Sequence, residues 1–245
     1  MALTHETTIP NPAITRFNAK DGAVEIYIPP GEFTMGDADS DDTAPHKVYL
    51  SGYWIYKTPF IVDMYRKFCA ETGRTLPPAP EWGWKEDHRV VNVTWHDAKA
   101  YCDWSGIAPP TEAQWEKAAR GADGRTYPWG NDWDKSAVRS DDDFDNGSAS
   151  AAPVGRFPEG ASPYGCLDMA GNVLQWCADW YEENYYESGQ EHDPTGPASG
   201  EDRVIRGCSW ITNCESDFRC GSRYYDDPGG CSANLGFRGA ARAGS

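Results

Sequence analysis

The C-terminal part of the chain alternates between residues that fix backbone geometry and runs of mixed chemistry. The fixed pieces consist of Gly, Arg, Pro and aromatic residues, which set turns and brace loops. A rigid frame that carries chemically unrelated side chains is typical of a binding surface, so we predict that this segment binds a ligand. The fixed pieces are Arg206-Gly207, Ser209-Trp210, Arg219, Arg223, Pro228 and Gly236-Phe237-Arg238. The runs between them are Ile211-Thr212-Asn213, Tyr224-Tyr225-Asp226-Asp227 and Ser232-Ala233-Asn234.

The composition of the three runs follows a restriction in the genetic code. If both adenines of the Asn codon AAC are replaced freely, the products include Ile, Thr, Tyr, Asp, Ser and Ala, but never Lys, Glu, Gln, Met or Trp. Every residue of the three runs can be encoded by a codon altered in this way. Glu215 cannot, so it belongs to the fixed pieces or comes from another codon. An ordinary polar loop would also match this composition, and both interpretations stay open here.

This segment resembles the C-terminal variable region of the variable proteins of diversity-generating retroelements. In that family, adenine-directed mutagenesis diversifies Asn-rich runs between RGGSW and GFR motifs on a C-type-lectin scaffold. The resemblance implies a variable region at about residues 203–242, with Trp210 bracing or joining the patch. The implied contact residues are Ile211, Thr212, Asn213, Tyr224, Tyr225, Asp226, Asp227, Ser232, Ala233 and Asn234.

The rest of the chain resembles the formylglycine-generating-enzyme type of the same scaffold over nearly its whole length. This implies an α+β, C-type-lectin fold with little regular secondary structure, and one domain over residues 1–245. The scaffold hosts both enzymes and binders, so it does not by itself decide the function. The matching pieces, in order, are Gly31–Gly36, Val93–Trp95, Pro110–Glu116, Tyr127–Gly130, Pro153–Gly155 and Asp168–Val173.

The acidic balance of the chain restricts its partners. With 22 basic and 38 acidic residues, the formal charge is −16, which repels phosphate backbones and anionic lipid headgroups. We therefore expect a protein or another macromolecular ligand, and neither nucleic acid nor membrane insertion. The start, MALTHETTIPNPAITRF, lacks the basic and apolar regions of a signal peptide. Association with a virion, a complex at a cell surface and a cytoplasmic location all remain open.

Periodicity predicts three short helices and several strands. The first helix should end at Gly73, and the third should begin at a capping box formed by Thr111 and Gln114. We expect Glu116 and Arg120 to pair on the exposed side of that third helix. The predicted helices include Val62–Cys69, Ala98–Cys102 and Thr111–Arg120, and the predicted strands are Val24–Ile28, Lys47–Tyr56 and segments near Val204 and Phe237. No periodicity is seen between Gly121 and Val204.

No cofactor is expected from the residues, but the resemblance raises the question of structural calcium. In the resembling enzymes, two regions hold structural calcium. One is equivalent to the acidic cluster of this chain that contains Asp143 and Asp145, and the other is a loop with the sequence GNVWEW. In this chain Gln175 takes the position of the glutamate in that loop. The loss of a charged ligand weakens the binding of calcium by an oxygen cage. Asn172, Asp143 and Asp145 are the candidate ligands. A turn braced by hydrogen bonds alone is the competing hypothesis.

A formylglycine-generating oxidase that acts on a peptide cysteine is the alternative function. Such enzymes need a copper-binding cysteine pair, separated by four residues, just after the RGG motif, because two thiolates bind one soft metal. The equivalent positions are Thr212 and Asp217. Cys214 and Cys220 have five residues between them, so they would match the copper pair only if this chain has a one-residue insertion relative to those enzymes. We therefore predict that the chain is not an enzyme.

The remaining cysteines fit structural roles. Because no export signal is seen, we expect reduced thiols, with Cys69, Cys102 and Cys177 as small core residues. The four cysteines of the C-terminal segment lack the short C-x-x-C pair of common zinc sites. In the same segment, Tyr224 and Tyr225 resemble the amphipathic anchors of antibody paratopes. Replacing both with Ala is expected to leave the melting temperature almost unchanged.

Overall fold

The computed structural model describes residues 13–38, 43–140, 152–188 and 190–244. In this part of the chain the α-helices and strands are short and are mixed along the sequence, so the prediction of an α+β chain with little regular structure is confirmed. The helices are α1 (Val62–Thr72), α2 (Trp95–Ser105) and α3 (Glu112–Arg120). The strands are β1 (Thr15–Phe17), β2 (Val24–Ile28), β3 (Gly31–Met35), β4 (His46–Leu50), β5 (Tyr53–Tyr56), β6 (Leu174–Trp180), β7 (Arg203–Arg206), β8 (Arg223–Asp226), β9 (Leu235–Phe237) and β10 (Ala240–Arg242).

The sheet that positions the C-terminal segment has the order β8-β7-β6-β9. In it β7 is antiparallel to both β6 and β8, whereas β9 runs parallel to β6. A second sheet has the order β1-β2-β5-β10, and β3 and β4 form a hairpin. The C-terminal segment thus supplies strands β7, β8 and β9. The runs 211–213 and 232–234 lie on the loops that join them.

The helix boundaries follow the local signals in the sequence. Thr111 Oγ1 accepts a hydrogen bond from Gln114 N at 3.2 Å, and Thr111 N donates to Gln114 Oε1 at 3.0 Å, so the predicted capping box is confirmed. α1 is followed by Gly73, whose φ of 72° lies in the left-handed region that favours glycine. Glu116 and Arg120 of α3 do pair, with 3.5 Å between Glu116 Oε1 and Arg120 Nε, but both are buried, so the predicted exposure of the pair is wrong. α3 lies inside the molecule, and this pair is covered by β3 and β7.

Strand β6 is missing from the sequence prediction. Its fully buried face carries the polar residues Gln175 and Asp179, so the hydropathy pattern does not mark that face as the buried one. The predicted extended segment Lys47–Tyr56 is in fact two strands, β4 and β5, which pair with β3 and with β2 and β10, respectively. The turn between the two strands therefore connects two different sheets.

The two largest groups of buried apolar residues lie on opposite faces of the β8-β7-β6-β9 sheet. Val204 belongs to one group and its neighbour Ile205 to the other, as expected for successive strand residues. In the second group the Phe60 ring lies 4.3 Å from that of Tyr101 and 4.5 Å from that of Phe237, measured between centroids. Aromatic contacts thus make up much of this core. None of the helices in the described ranges has the length and apolarity needed to cross a bilayer.

The cysteines predicted to be core residues are buried. Cys177 belongs to the first apolar group, and Cys69 and Cys102 belong to the second. All three are free thiols. Burial raises the pKa of the Cys102 and Cys177 thiols, which favours the neutral form. These thiols therefore act as small apolar side chains.

Candidate ligand-binding surface

Tyr224 and Tyr225 lie on opposite faces of the edge strand β8. Tyr224 is paired with Ile205 of β7, and Tyr225 is paired with Val204. Residues paired directly across a ladder extend to the same face of the sheet, and neighbours along a strand to opposite faces. The two tyrosines predicted to act together are therefore separated by the sheet.

Tyr224 is half-buried and packs against residues of two apolar groups. Its hydroxyl lies 3.5 Å from the Cys208 thiol. Burial, followed by the adjacent Cys208 thiol, raises the pKa of Tyr224. The expectation that both tyrosines are dispensable for stability therefore does not fit the position of Tyr224, because its ring supports the core beneath β8.

Tyr225 is 53% exposed and stacks on Tyr181, with 4.0 Å between the ring centroids. The Arg223 guanidinium lies 4.5 Å from the Tyr181 ring, so it orders the ring on which Tyr225 rests. Tyr181 precedes the exposed residues Glu182 and Glu183. We call Tyr225, Tyr181 and these two glutamates the Tyr225 patch.

The first and third runs come together beside Trp210. Trp210 Nε1 donates to the backbone oxygen of Ala233 at 3.4 Å, and Asn234 Nδ2 donates to Ser209 Oγ at 3.3 Å. Ser232 Oγ donates to Asn234 Oδ1 at 2.6 Å, which fixes the third run. We call this region the loop surface. It consists of Trp210, Ile211, Thr212, Asn213, Ser232, Ala233 and Asn234.

The side chains of the loop surface reach solvent to different degrees. Ile211 is 49% exposed and Asn213 is exposed, whereas Thr212 and the third run are partly covered. Thr212 N donates to the backbone oxygen of Ser209 at 3.1 Å, so the backbone of the first run starts from a hydrogen-bonded turn. The two runs lie together in the structure, and their role as ligand contacts stays a prediction.

Asp226 and Asp227 form the turn that leaves β8. Asp226 Oδ1 accepts a hydrogen bond from Asp227 N at 2.9 Å, and Asp227 Oδ1 accepts one from Gly229 N at 2.7 Å. Pro228 O accepts from Trp95 N, the first residue of α2, at 3.1 Å. The turn is therefore held by its own carboxylates and by α2, and it carries negative charge at the surface.

The frame behind these runs contains a buried network of charges around Arg206. This guanidinium forms ion pairs with Glu112, at 3.2 Å, and with Glu116. It also donates to the backbone oxygens of Cys220 and Gly221. Burial alone lowers the pKa of Arg206, but the field of Glu116 and Glu112 more than offsets it, so the pKa is raised. α3 thus fixes the path of the chain between the first and second runs.

Two further framework arginines are held in different ways. Arg223 Nε donates to Glu112 Oε1 at 2.8 Å. Arg238 donates to the side chain of Gln175 and to backbone oxygens of the core, including that of Asp168 at 3.0 Å. Burial lowers the pKa of Arg238 to about 10, because neutral acceptors do not replace the lost hydration in full. Gln175 is therefore needed as an acceptor in the frame.

A buried carboxyl group lies at the start of α3. Asp179 Oδ2 accepts a hydrogen bond from the backbone N–H of Glu112 at 2.8 Å. Burial, and then the neighbouring Glu112 carboxylate, raises the pKa of Asp179 to about 8. Asp179 therefore takes up its proton near neutral pH, beneath the same network that holds Arg223.

The sequence did not identify two residues outside the C-terminal segment that border the loop surface. The Trp82 ring meets the Trp210 ring edge-on, with 5.6 Å between the centroids. Asn92 N donates to the backbone oxygen of Ser232 at 3.0 Å, and Asn92 Nδ2 donates to that of Pro78 at 2.9 Å. The tryptophan-rich stretch after the prolines is a visible signal, but periodicity does not connect it with residues far along the chain.

The proposed calcium ligand Asn172 is used internally. Its Oδ1 accepts from Ala152 N at 3.0 Å, its Nδ2 donates to Ala152 O at 3.3 Å, and its backbone oxygen accepts from Trp210 N at 3.0 Å. Asp143 and Asp145 lie outside the described residues. Calcium therefore stays a prediction, whereas the described bonds are those of a braced turn. Over the described ranges, no three His, Cys, Asp or Glu side chains converge as metal ligands would.

The cysteines near the copper positions do not fit a copper pair. Cys214 is exposed, with its thiol 3.0 Å from Ser216 Oγ. Cys220 belongs to the buried apolar group around Trp115. Burial raises the pKa of the Cys220 thiol to about 12, and thiolates are the form that binds copper. Thr212 and Asp217, at the equivalent positions, supply no thiol.

Comparison with known proteins places this geometry in a family. The model of the sulfatase-modifying factor enzyme 1-like domain matches residues 11–243. The serine/threonine-protein kinase pkn1 of Chlamydia caviae is 34% identical over 87% of the chain, which spans 37% of that kinase. The formylglycine-generating enzyme of Streptomyces coelicolor is 31% identical over 87% of the chain and 88% of the enzyme.

Solved structures show the fold. PvdO from Pseudomonas aeruginosa is 23% identical, with a TM-score of 0.82 over 95% of this chain and 99% of PvdO. Treponema denticola variable protein 1 is 24% identical, with a TM-score of 0.78 over 94% of this chain and 98% of that protein. The predicted C-type-lectin fold of the formylglycine-generating-enzyme subtype is confirmed. The chain belongs to the family of sulfatase-modifying factor enzyme 1-like domains.

Proposed function

We propose that this chain is a ligand-binding protein whose C-terminal segment presents a diversified surface, as in the variable proteins of diversity-generating retroelements. The observation that carries the proposal is the match between residue type and burial. Framework residues such as Arg206 and Arg238 are fully buried, whereas Ile211 and Tyr225 are about half exposed. The positions that adenine replacement in an Asn codon would change are thus those where a replacement disturbs the frame least. Tyr224 is the exception.

The frame gives such a surface a physical advantage. Its arginines are anchored to α3 and to core carbonyl groups, so the loop backbone is ordered before a ligand arrives. Ordering a loop upon binding costs free energy, and a prearranged surface avoids that cost. The likeness in fold to a protein described as a variable protein is consistent with this use of the scaffold. The proposed partner is a protein or another macromolecule, because the charge of −16 disfavours nucleic acid and membranes.

The DNA downstream of the gene provides the first test. We expect a near-identical repeat of the 3′ end that differs only at adenines, beside a gene for a reverse transcriptase. Asn codons in the repeat should stand opposite Ile211–Asn213, Tyr224–Asp227 and Ser232–Asn234. The absence of both the repeat and the transcriptase would reject diversification.

The alternative proposal is a formylglycine-generating oxidase, and the observation that favours it is the identity with enzymes of that name over most of their length. Against it stand the exposed Cys214 and the core thiol Cys220. The test is copper titration of the reduced protein, followed by an assay with a cysteine-containing peptide. Stoichiometric copper binding that is lost in both Cys214→Ser and Cys220→Ser, together with peptide oxidation, would establish the oxidase.

A further inference from the structure

The loop surface continues beyond the C-terminal segment onto a fixed aromatic residue. Trp82 lies between α1 and α2, and its ring contacts that of Trp210 edge-on. Both rings pack over Val91 and Val173, which are fully buried. Neither tryptophan is a product of the adenine-replaced Asn codon, so this pair stays constant while its neighbours change. In the described structure the Trp82 indole N–H has no hydrogen-bond partner.

In the adjoining segment the basic side chains are paired, whereas the carboxylates are exposed. From residue 207 to residue 237 the only basic residues are Arg219 and Arg223. Arg219 pairs with Asp37, and Arg223 pairs with Glu112, so both cations are neutralised by the frame. The four carboxylates of the same stretch are partly or fully exposed. They are Glu215, Asp217, Asp226 and Asp227.

An exposed carboxylate adjoins the tryptophan pair in the chain, and a backbone bond links this segment to the loop after the acidic turn. The exposed Glu81 directly precedes Trp82 and makes no ion pair with the described residues. The bond from Asn92 N to Ser232 O holds the end of the acidic turn against the segment that carries Trp82. Asp227 lies five positions before Ser232 on that loop. The segment with Trp82 thus carries the exposed Glu81 and, three positions after Trp82, the exposed Lys85, and it is bonded to the loop that follows the acidic turn.

We propose that Trp82 and Trp210 form a constant subsite of the loop surface that binds a Lys- or Arg-bearing segment of a partner protein. This proposal rests on the proposed binding function. An aromatic face attracts a cation through its quadrupole, and Arg also stacks on it. The unpaired excess of carboxylates in residues 207–237 steers such a segment towards the surface and disfavours acidic partners. The constant pair supplies a shared contact, and the changeable runs select among basic partners.

The test uses two synthetic peptides of equal length, one of repeated Arg-Gly-Gly units and one of repeated Glu-Gly-Gly units. Each is titrated into protein with 15N-labelled indoles, whose NMR signals are assigned by single Trp→Phe replacements. We expect the arginine peptide to shift the Trp82 and Trp210 signals and the glutamate peptide to leave them in place. In Trp82→Ala the affinity for the arginine peptide should fall by about fivefold or more.

Two controls separate this subsite from general attraction to an acidic protein. Trp104→Ala removes another half-buried tryptophan, whose ring already faces Lys20 at 4.9 Å, and it should leave the affinity unchanged. Glu81→Gln should weaken binding of the arginine peptide even if Trp82→Ala fails to fold, whereas Glu32→Gln removes the same charge from the exposed side of β3 and should leave the affinity unchanged. Equal shifts with both peptides, or shifts confined to other indoles, would overturn the subsite. Binding at Trp82 without a template repeat in the DNA would reject diversification and keep the subsite.

Discussion

The framework arginines and the exposed runs share one stretch of chain but lie in opposite environments. Arg206 and Arg238 have no exposed surface, whereas Ile211 is 49% and Tyr225 is 53% exposed. The difference shows that the C-terminal segment is divided residue by residue into an anchored part and a free part. The anchored part determines the backbone path, and the free part determines the chemistry of the surface.

The anchored part combines two kinds of support. Arg206 is held by two carboxylates of α3, whereas Arg238 is held by an amide and by backbone carbonyl groups. A buried charge that loses its partner is costly, while a network with all its bonds in place is rigid. The anchored part should therefore be sensitive to single replacements, and the free part should tolerate them.

The largest expected effect is the loss of the Arg206 guanidinium. In Arg206→Met, Glu116 loses its main buried partner, and we expect the free energy of unfolding to fall by about 3–5 kcal/mol. Urea denaturation measures this loss. The exposed Arg156, replaced with Ala as a control, should change it by less than about 0.5 kcal/mol. A loss below about 1 kcal/mol in Arg206→Met would contradict the division into anchored and free parts.

The second test compares the two tyrosines of β8. Tyr224→Ala removes a half-buried ring that packs against two apolar groups, so we expect a loss of about 2–3 kcal/mol. Tyr225→Ala removes a ring that is mostly in solvent and stacks on Tyr181, so we expect about 1 kcal/mol or less. Thermal unfolding of the two variants measures the contrast. Equal losses would show that burial does not distinguish the two faces of the strand.

The third test concerns the proton on Asp179 beneath the network. Because folding raises the pKa of this carboxyl from its usual value near 4 to about 8, the folded state holds the proton more tightly than the unfolded state. Its contribution to stability is complete below pH 4 and is lost as the pH rises towards 8, on the order of 1 kcal/mol per pKa unit. In Asp179→Asn the free energy of unfolding should decline less as the pH rises from 5 to 9, and urea denaturation at each pH measures it. An unchanged pH profile would place the proton elsewhere.

The smallest expected effect comes from the free part itself. Ile211→Ser and Ala233→Ser exchange residues that the proposed diversification permits, and neither side chain holds a core contact. We expect each to change the free energy of unfolding by less than about 0.5 kcal/mol, measured by urea denaturation beside Arg206→Met. A loss as large as that of Tyr224→Ala would mean that the loop surface is part of the core.

Local signals in the sequence predicted a large part of the fold. The capping box of α3 and the glycine after α1 involve residues within a few positions of each other, so these boundaries are readable without the tertiary structure. The strand β6 escaped prediction because polar residues, Gln175 and Asp179, lie on its fully buried face. Glu116 and Arg120 were placed on the wrong side because the spacing i, i+4 gives a shared helix face but does not say whether that face meets solvent.

The sequence by itself determined the α+β class, the family motifs and the segment in which fixed and miscellaneous residues alternate. Only the tertiary structure decided that Tyr224 and Tyr225 lie on opposite faces, that Trp82 borders Trp210, and that Gln175 serves Arg238. The physical reason is the range of the interactions. Caps and turns depend on neighbours along the chain, whereas burial and pairing depend on elements that are distant in sequence and adjacent only after folding.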